Sequence, residues 1–358
     1  MKILVDARSL GSKPSGIGIY IYNFIKQLIT YKEVSISLIT DVVVSDEMKK
    51  LSQTDGVTVY AYGREIQKSF GLYSYFKFVQ KTIHEVKPDV FWEGNNLVPI
   101  RIKNPYGKFV TTVHDMFPLY MKECYGRVYP YYFRYGMWKT VKQVDAIIYN
   151  SEETRKETEQ YFPSAKKVES FISYIVVDVK QQTEVTDEDY FLYIGNLEKR
   201  KGTDILLKAY QEYCNKGGKK KLIIAGKFRE NDIEELYQEI SAKVNGLEYV
   251  GYASEEMKDR LLAGCSGFVF PSRAEGFGIP VVEALIYQKP VLASELSIFD
   301  EIVGDAVEYV GCSEVNATER WADAMLQTEN EQHEVAYVNP YTAEKLGERL
   351  YQFFNGKN

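Results

Sequence analysis

The chain alternates short runs of β-branched and aromatic residues with longer segments whose apolar positions recur at helical spacing. Runs of the first kind are typical of buried strands, and the spacing of the second kind predicts amphipathic helices. In the first half, strands are predicted at residues 3–6, 35–39, 57–60, 90–93, 108–114 and 146–150, and helices at 18–30, 72–86, 128–141 and 152–162. This order predicts a parallel sheet with helices on both faces.

The same alternation restarts after residue 189. Strands are predicted at residues 190–194, 221–225, 247–251, 267–271, 290–293 and 307–310, with helices between them. The stretch 179–188 is polar and lacks an apolar period, which indicates a linker. The prediction is therefore an α/β protein with two doubly wound domains, at residues 1–178 and 189–340. The last helix follows completion of the second sheet, and residues 341–358 are expected to return to the N-terminal domain.

Composition narrows the choice of site chemistry. No stretch of about 18 or more apolar residues occurs, so no transmembrane helix is expected. The four cysteines are widely spaced and only three histidines are present, which favours reduced thiols over a disulfide framework or a zinc site. Asp187 and Asp189 match a D-x-D pattern, but they lie in the predicted linker, so no metal role is assigned. We expect a cytoplasmic protein.

Charge is distributed unevenly along the chain. Residues 1–172 carry 24 Lys+Arg and 18 Asp+Glu, and the remainder carries 20 and 32, so the first part is +6 and the second −12. Within the basic part, segments 64–82 and 117–142 interleave aromatic and basic residues. Two interpretations stay open: an acceptor groove or a membrane-facing surface, or aromatics packed in the core with cations extending into water.

One segment has the features of a diphosphate-binding site. Residues 271–294, PSRAEGFGIPVVEALIYQKPVLAS, follow an apolar run and contain a glycine loop before a helix with Pro280 in its first turn. Free N–H groups and the positive end of the helix dipole attract anions there, and Gly276 and Gly278 allow close approach of the backbone. Glu275 and Glu283 flank this turn, and carboxylates bind the paired hydroxyls of sugars well.

Two further clusters carry candidate chemistry. In GNLEKRKGTDILLKAY, which begins at Gly195, Arg200 and Lys201 precede a helix and are suited to neutralising a diphosphate. In KFVTTVHDMFPL, His114 ends a predicted strand, at the edge where open α/β sheets bind ligands.

The segment from Glu275 to Glu283 resembles the E-x7-E motif of retaining GT-B glycosyltransferases, in particular family 4. The resemblance implies a GT-B fold, with two Rossmann-like domains that face a central cleft. It also implies that Glu275 contacts the donor hexose near the reacting carbon and that Glu283 contacts the nucleotide ribose. Sugar hydroxyl or phosphate oxygens would be contacted by the amides of Phe277, Gly278 and Ile279.

The basic loop resembles the phosphate-binding loop of the same family. Lys201 matches the lysine of both family patterns and Arg200 the arginine of one, so both are expected to act on the phosphates. Asn196 stands where one pattern has an arginine, within the expected donor-binding loop.

In the N-terminal domain, the resemblance assigns His114 to the donor sugar. Gly16 and Gly18 correspond to the family's glycine loop, expected beside phosphate and acceptor across the cleft. Ile19 replaces the arginine that often follows this loop in the family.

The resemblance implies a retaining, metal-independent hexosyltransferase without a cofactor. It would move a hexose from a nucleotide-diphosphate sugar to a glycan or lipid-linked acceptor, in bacterial surface polysaccharide synthesis, with possible peripheral membrane contact through the N-terminal domain and no nucleic acid. A nucleotide-sugar-binding protein without activity and a GT-B-fold sugar-nucleotide epimerase are the alternatives. A nicotinamide dehydrogenase is disfavoured because no G-x-G-x-x-G follows the first strand.

Overall fold

A computed structural model shows a chain of two compact α/β units. It describes residues 1–66, 72–98, 101–179, 188–312, 315–331 and 334–356, apart from the side chains of residues 123 and 124. The first unit comprises residues 1–176 and 341–358, and the second comprises residues 177–340. Residues 180–187 of the predicted linker, including Asp187 of the D-x-D pattern, lie outside the described residues, so the linker stays a prediction.

The first unit is built on a seven-stranded parallel sheet. Its elements are β1 (Lys2–Asp6), α1 (Arg8–Gly11), α2 (Gly16–Leu28), β2 (Ser35–Thr40), α3 (Asp46–Ser52), β3 (Val57–Ala61), α4 (Leu72–Val86), β4 (Val90–Glu93), β5 (Lys108–Val113), α5 (Phe117–Tyr120), α6 (Lys122–Tyr125), α7 (Tyr129–Gln143), β6 (Ala146–Tyr149), α8 (Glu152–Tyr161) and β7 (Glu169–Ile172). The strand order is β3-β2-β1-β4-β5-β6-β7, so the order reverses between β1 and β4.

The second unit repeats this plan with six parallel strands. Its elements are β8 (Tyr190–Ile194), α9 (Thr203–Asn215), β9 (Lys221–Ala225), α10 (Asn231–Ser241), β10 (Leu247–Gly251), α11 (Glu255–Gly264), β11 (Gly267–Phe270), α12 (Ile279–Ile286), β12 (Val291–Ser294), α13 (Ser297–Ile302), β13 (Glu308–Val310) and α14 (Ala317–Asn330). The order β10-β9-β8-β11-β12-β13 reverses between β8 and β11. The prediction of two doubly wound α/β domains is therefore confirmed.

The last helix, α15 (Ala343–Phe354), packs on α2 in the first unit. A Cβ atom on Gly347 would lie 2.1 Å from Cγ of Gln27, so the two helices approach as closely as a glycine permits. Phe354 packs edge-on against buried Trp92, with ring centroids 5.7 Å apart. The C-terminal segment thus contributes to the core of the first unit.

The structure corrects one local prediction. The helix predicted at residues 18–30 begins two residues earlier, so the glycine loop expected at Gly16 and Gly18 forms the first turn of α2 (Gly16–Leu28). The reason is the hydroxyl of Ser15, which caps the helix by accepting the N–H of Gly18 at 3.2 Å.

Among the residues that the structure describes, no helix is both long enough and apolar enough to cross a membrane.

Candidate active site

The two segments of the second unit that are predicted to bind the donor meet at the point where its strand order reverses. β8 and β11 are neighbours in the sheet, and each runs into a loop at its carboxyl end. The loop after β8 begins at Gly195, and the loop after β11 carries Glu275. Ligands of open α/β sheets bind at such switch points, because adjacent loops diverge there and leave a crevice.

The two loops are held in close contact by backbone interactions. Gly202 has φ +66°, and a Cβ atom there would lie 1.8 Å from the carbonyl oxygen of Pro271. The N–H of Arg273 donates to the carbonyl of Arg200 at 2.8 Å. The Arg200 guanidinium donates to the carbonyl of Ala274 at 3.0 Å. Two segments that are about 70 residues apart in sequence therefore form one surface.

Lys201 and Glu275 form a largely buried ion pair. The Lys201 ammonium donates to both carboxylate oxygens of Glu275, at 2.6 and 2.7 Å. The Glu275 side chain is 7% exposed and that of Lys201 is 15% exposed. Lys201 is thus held in position, and its charge is balanced by the carboxylate of Glu275.

Arg200 also makes an ion pair. Its guanidinium donates to Glu198 at 2.6 Å, in addition to the contact with Ala274. The guanidinium of Arg200 is therefore paired within its own loop. A phosphate role for Arg200 remains a prediction.

Glu283 pairs with a lysine that the sequence analysis missed. Lys258 on α11 donates to Glu283 at 2.6 Å and to the exposed Glu255 at 2.9 Å. Burial raises the pKa of Glu283, and the charge of Lys258 acts in the opposite direction. Burial favours the neutral form of Lys258, but the adjacent Glu283 and Glu255 carboxylates raise its pKa overall. Each glutamate of the E-x7-E segment thus forms an ion pair with a different lysine, Glu275 with Lys201 and Glu283 with Lys258.

These lysines line one cavity of about 240 Å³ in the second unit. Its walls come from the loops after β8, β9 and β10, together with α11 and the start of α12. The lining residues include Asn196, Lys201, Lys227, Tyr252, Lys258 and Pro280. A cavity between strand ends, lined by two lysines that each pair with a carboxylate, is suited to an anionic ligand that also carries hydroxyl groups.

Positive charge is present next to Asn196 although the sequence lacks the expected arginine there. The side chain of Arg229, which follows β9, donates to Asn196 Oδ1 at 3.3 Å. Tyr193 donates to the Asn196 carbonyl at 2.9 Å and fixes the turn. Arg229 lies 33 positions from Asn196, so no local pattern identified it.

The glycine loop ends in a left-handed residue at the start of α12. Gly278 has φ +95° and is the N-cap, and Pro280 lies in the first turn, as the sequence predicts. Phe277 is buried and Ile279 is partly exposed. The first-turn N–H groups of a helix have no intrahelical acceptors, and the N-terminus is the positive end of the helix dipole. This end of α12 therefore attracts negatively charged groups.

Gly278→Ala is expected to lower the free energy of unfolding by about 3 kcal/mol. A Cβ atom there would lie 2.3 Å from the ring of buried Phe299, and a left-handed backbone adds strain. Gly304→Ala is the matched control, since Gly304 has φ +50° and nothing within 4 Å of the added carbon. It should cost about 1 kcal/mol. Urea unfolding measures both, and equal losses would contradict the steric explanation.

In the first unit, His114 follows β5 and is buried against α2. Its Nε2 lies 2.8 Å from the Gly94 carbonyl, which assigns the proton to Nε2 and leaves Nδ1 as an acceptor. Tyr20 packs edge-on against the imidazole, with centroids 5.1 Å apart. Burial lowers the pKa of His114 to about 4, although the hydrogen bond with Gly94 acts in the opposite direction. His114 is therefore neutral at physiological pH.

The first unit should lose stability through His114 as the pH falls. An unfolded histidine has a pKa of about 6.5, so between pH 6.5 and 4 the unfolded chain binds a proton that folded His114 does not. The contribution is complete above pH 6.5 and decreases toward pH 4, by up to about 3 kcal/mol. Urea unfolding at several pH values should show a flatter profile for His114→Asn than for the wild type. Identical profiles for the two proteins would contradict this assignment.

The glycines at the start of α2 differ in their surroundings. A Cβ atom on Gly18 would lie 2.3 Å from the Ser9 carbonyl oxygen, whereas one on Gly16 would meet nothing within 4 Å. Gly18 is thus required because α1 packs closely against α2 at this point. Of these two glycines, only Gly16 has room for a side chain beside it. Their donor-binding roles stay predictions.

The structure also reveals a buried charged cluster that the sequence analysis did not single out. Asp6 and Glu93 are register partners at the ends of β1 and β4, and both are fully buried. Arg8 Nε donates to both oxygens of Asp6 at 3.0 Å and stacks over Tyr75. Burial, together with the Asp6 charge, raises the pKa of Glu93 well above its usual value. The cluster marks the switch point of the first sheet.

Within the described residues, no group of three or more His, Cys, Asp or Glu side chains has the arrangement of a metal site.

Comparisons with known proteins identify the family. The model of Glycosyltransferase Family 4 matches residues 14–170, and the model of Glycosyl transferases group 1 matches residues 177–345. The chain is 24% identical over 329 residues to O-antigen chain mannosyltransferase B of Escherichia coli, covering 86% of this chain and 85% of that protein. It is 24% identical over 357 residues to O-antigen chain mannosyltransferase RfbU of Salmonella typhimurium, covering 95% of each.

The fold is shared with a solved structure that holds a nucleotide. The crystal structure of Anabaena Alr3699/HepE in complex with UDP and glucose superposes with a TM-score of 0.72, at 16% identity and with 99% of each chain covered. Two matched family models, which together span both units, confirm the family resemblance predicted from the E-x7-E segment. The chain is a glycosyltransferase that belongs to group 1 and family 4 and has the GT-B fold.

Proposed function

We propose that the chain transfers a hexose, with retention of configuration, from a nucleotide-diphosphate sugar to a glycan or lipid-linked acceptor in the synthesis of a bacterial surface polysaccharide. Mannose is the favoured hexose, since both relatives described above are named as O-antigen mannosyltransferases. The reaction would take place in the cytoplasm, at the inner face of the membrane where the acceptor is lipid-linked.

The observation that carries this proposal is the pair of Lys–Glu contacts on one cavity. The Lys201–Glu275 and Lys258–Glu283 pairs are both largely buried, and both lysines line the cavity at the sheet switch point. A nucleotide-diphosphate sugar carries two anionic phosphates flanked by two sets of hydroxyls. The alternation of cations and carboxylates in the second unit fits that distribution.

In the proposed reaction, the bond between the anomeric carbon and the phosphate oxygen breaks while the acceptor oxygen bonds to the same face of the sugar. The acceptor proton passes to the departing phosphate, so no catalytic base is assigned. Negative charge that develops on the phosphate is stabilised by Lys201, by Arg200 and by the N-terminus of α12. We propose that these fixed charges act without a metal ion.

Glu275 has a positioning role in this scheme. Both of its oxygens accept hydrogen bonds from Lys201, so the carboxylate orients the lysine and remains available to sugar hydroxyls. As the family resemblance implies, His114 would contact the donor sugar, and Gly16 and Gly18 would lie beside the phosphate and the acceptor. The amides of Phe277 to Ile279 would contact sugar hydroxyl or phosphate oxygens.

A screen of nucleotide sugars by thermal unfolding tests donor binding. A donor present at one hundred times its Kd should stabilise the protein by about 2.7 kcal/mol, which raises Tm. We expect a nucleotide-diphosphate mannose to give the largest increase, with the free sugar inactive. Absence of stabilisation by every nucleotide sugar at millimolar concentration would contradict the proposal.

The two alternatives predict different products. A non-catalytic binding protein would be stabilised by the donor but would transfer no label to an acceptor. An epimerase would rearrange the donor in the absence of any acceptor.

A further inference from the structure

Arg8 lies where ligands of an open α/β sheet bind, at the point where the strand order of the first sheet reverses. β1 and β4 are neighbours there, although they are not consecutive in the chain, and Arg8 begins α1 two residues after β1 ends. The crevice beyond the carboxyl ends of such strands is the usual ligand site of this class of fold. Sequence patterns did not identify Arg8, and it has no part in the reaction proposed above.

The Arg8 side chain is fixed in place by its neighbours. Its Nε donates to both oxygens of Asp6 at 3.0 Å, and its guanidinium carbon lies 4.8 Å from the centroid of the Tyr75 ring. Only 21% of the side chain is exposed. Burial acts against the positive charge, but the nearby Asp6 carboxylate contributes to an overall rise in the pKa of Arg8, so the cation is retained. A guanidinium that is already ordered loses little conformational entropy when it binds a ligand.

One edge of this guanidinium is open. Nε is occupied by Asp6, but no hydrogen bond runs from Nη1 or Nη2 to any residue that the structure describes. Glu93 Oε2 lies 3.8 Å from Nη2, which is too far for a hydrogen bond. Within the described part of the chain, Glu93 Oε2 and the neighbouring Ser9 Oγ are themselves buried without a hydrogen-bond partner. Such a group of unfilled polar atoms indicates a site that a ligand completes.

The carboxylates around Arg8 leave the cluster without net negative charge. Asp6 and Glu93 are both fully buried and are opposite each other in the register of β1 and β4. Two adjacent buried carboxyl groups do not readily ionise together, and burial with the charge of Asp6 raises the pKa of Glu93 well above its usual value. Neutral Glu93 leaves Asp6 to balance Arg8. An anion at the open edge of Arg8 is then opposed by one carboxylate, which lies against Nε rather than against that edge.

We propose that the Nη1–Nη2 edge of Arg8 binds a phosphate group of a substrate through two parallel charged hydrogen bonds. The planar fork of a guanidinium matches two phosphate oxygens, which a single ammonium cannot do. Two sources of phosphate are available under the proposed function, on which this inference rests: the diphosphate of the nucleotide sugar and the phosphate of a lipid-linked acceptor. The inference deepens that function, because it assigns substrate binding to a residue of the first unit outside the glycine loop and His114.

Calorimetric titration of the full chain with two soluble diphosphates tests the assignment and identifies the source. One probe is a nucleoside diphosphate, and the other is a short-chain alkyl diphosphate, which represents the linkage of a lipid-linked acceptor. Arg8→Lys keeps the positive charge and removes the fork. It should raise the Kd of at least one probe by about tenfold or more, the loss expected for one charged hydrogen bond. Weakening of the nucleoside diphosphate identifies the donor as the source, and weakening of the alkyl diphosphate identifies the acceptor.

Three comparisons separate phosphate binding from a structural role. The parent nucleoside, which has no phosphate, should bind the wild type and Arg8→Lys equally well. Asp6→Asn combined with Arg8→Gln removes both charges of the ion pair, so it should retain the wild-type Tm within a few degrees and yet lose diphosphate affinity by about tenfold or more. Arg349→Lys is the matched control, because Arg349 on α15 is an exposed arginine that also stacks on an aromatic ring, Phe171. Its Kd values should stay within about twofold of the wild type.

Several results would overturn the assignment of Arg8. These are wild-type affinity for both diphosphates in Arg8→Lys and in the double variant, binding of neither probe by the wild type, equal weakening of nucleoside and nucleoside diphosphate, and equal losses in Arg349→Lys. The proposed function is tested separately, by transfer of labelled sugar. Transfer by the wild type with unchanged diphosphate binding in the variants contradicts only the Arg8 assignment, whereas Arg8-dependent binding without transfer contradicts only the proposed function.

Discussion

Lys201→Ala is expected to lower kcat by about a thousandfold, the size of effect seen when one fixed donor to a developing negative charge is removed. In the proposed reaction Lys201 acts on the departing phosphate, so its loss should affect turnover more than donor binding. Steady-state kinetics with a labelled donor measures the change. Lys199→Ala is the matched control, because Lys199 is the exposed neighbour that pairs with Asp232, and its turnover should stay within twofold of the wild type.

Lys201→Ala should also lower the stability of the fold, and a second substitution separates this effect from the effect on turnover. Loss of Lys201 leaves Glu275 as an uncompensated, largely buried carboxylate, which should lower the free energy of unfolding by a few kcal/mol. Lys201→Ala combined with Glu275→Gln removes that charge and should recover most of the stability. Turnover should nevertheless stay low. Recovery of turnover together with stability would show that Lys201 acts only on folding.

Glu283→Gln is expected to weaken binding of both the donor and the free nucleoside diphosphate by about tenfold to a hundredfold. A carboxylate that accepts ribose hydroxyls contributes about 1.5–3 kcal/mol through charged hydrogen bonds. Because the ribose contact is the same in the ground and transition states, KM should rise while kcat changes little. Isothermal titration with the nucleoside diphosphate and steady-state kinetics measure the two effects.

Glu255→Gln is the matched control for this variant. Glu255 contacts the same lysine, Lys258, but its side chain is 84% exposed, and it lies on α11 rather than on α12. Its substitution should leave nucleotide affinity within twofold of the wild type. Equal weakening by the two variants would mean that the charge of Lys258, rather than the carboxylate of Glu283, determines binding.

Much of the fold could be predicted from the sequence, because central strands of a parallel sheet are buried on both faces and form continuous apolar runs. The strands β4, β8, β9 and β10 agree with their predicted bounds to the residue. The edge strand β7, with sequence ESFI, was missed since its first residues are exposed and polar. The helix α14 was also missed, because small alanines form much of its buried face.

The site was predictable only where its residues are contiguous. Glu275, Gly278 and Glu283 lie within nine residues, so a local pattern could identify them. Lys258 and Arg229 join the site through tertiary packing, from a helix and a loop with no recognisable motif. Position 196 illustrates the difference, since it lacks the family arginine but is contacted by Arg229 from another loop. Local patterns identify the segment that is predicted to bind the ligand, and tertiary packing determines which charged side chains lie beside it.

Transfer of label from a nucleotide-diphosphate sugar tests the central claim most directly. The purified chain is incubated with a sugar-labelled nucleotide-diphosphate hexose and bacterial membranes or isolated polysaccharide as the acceptor, with Lys201→Ala in parallel. We predict that the wild type moves label into the acceptor and releases one nucleoside diphosphate for each sugar transferred, and that the variant is about a thousandfold slower. Donor binding without transfer, or conversion of the donor to another sugar without an acceptor, would contradict the account.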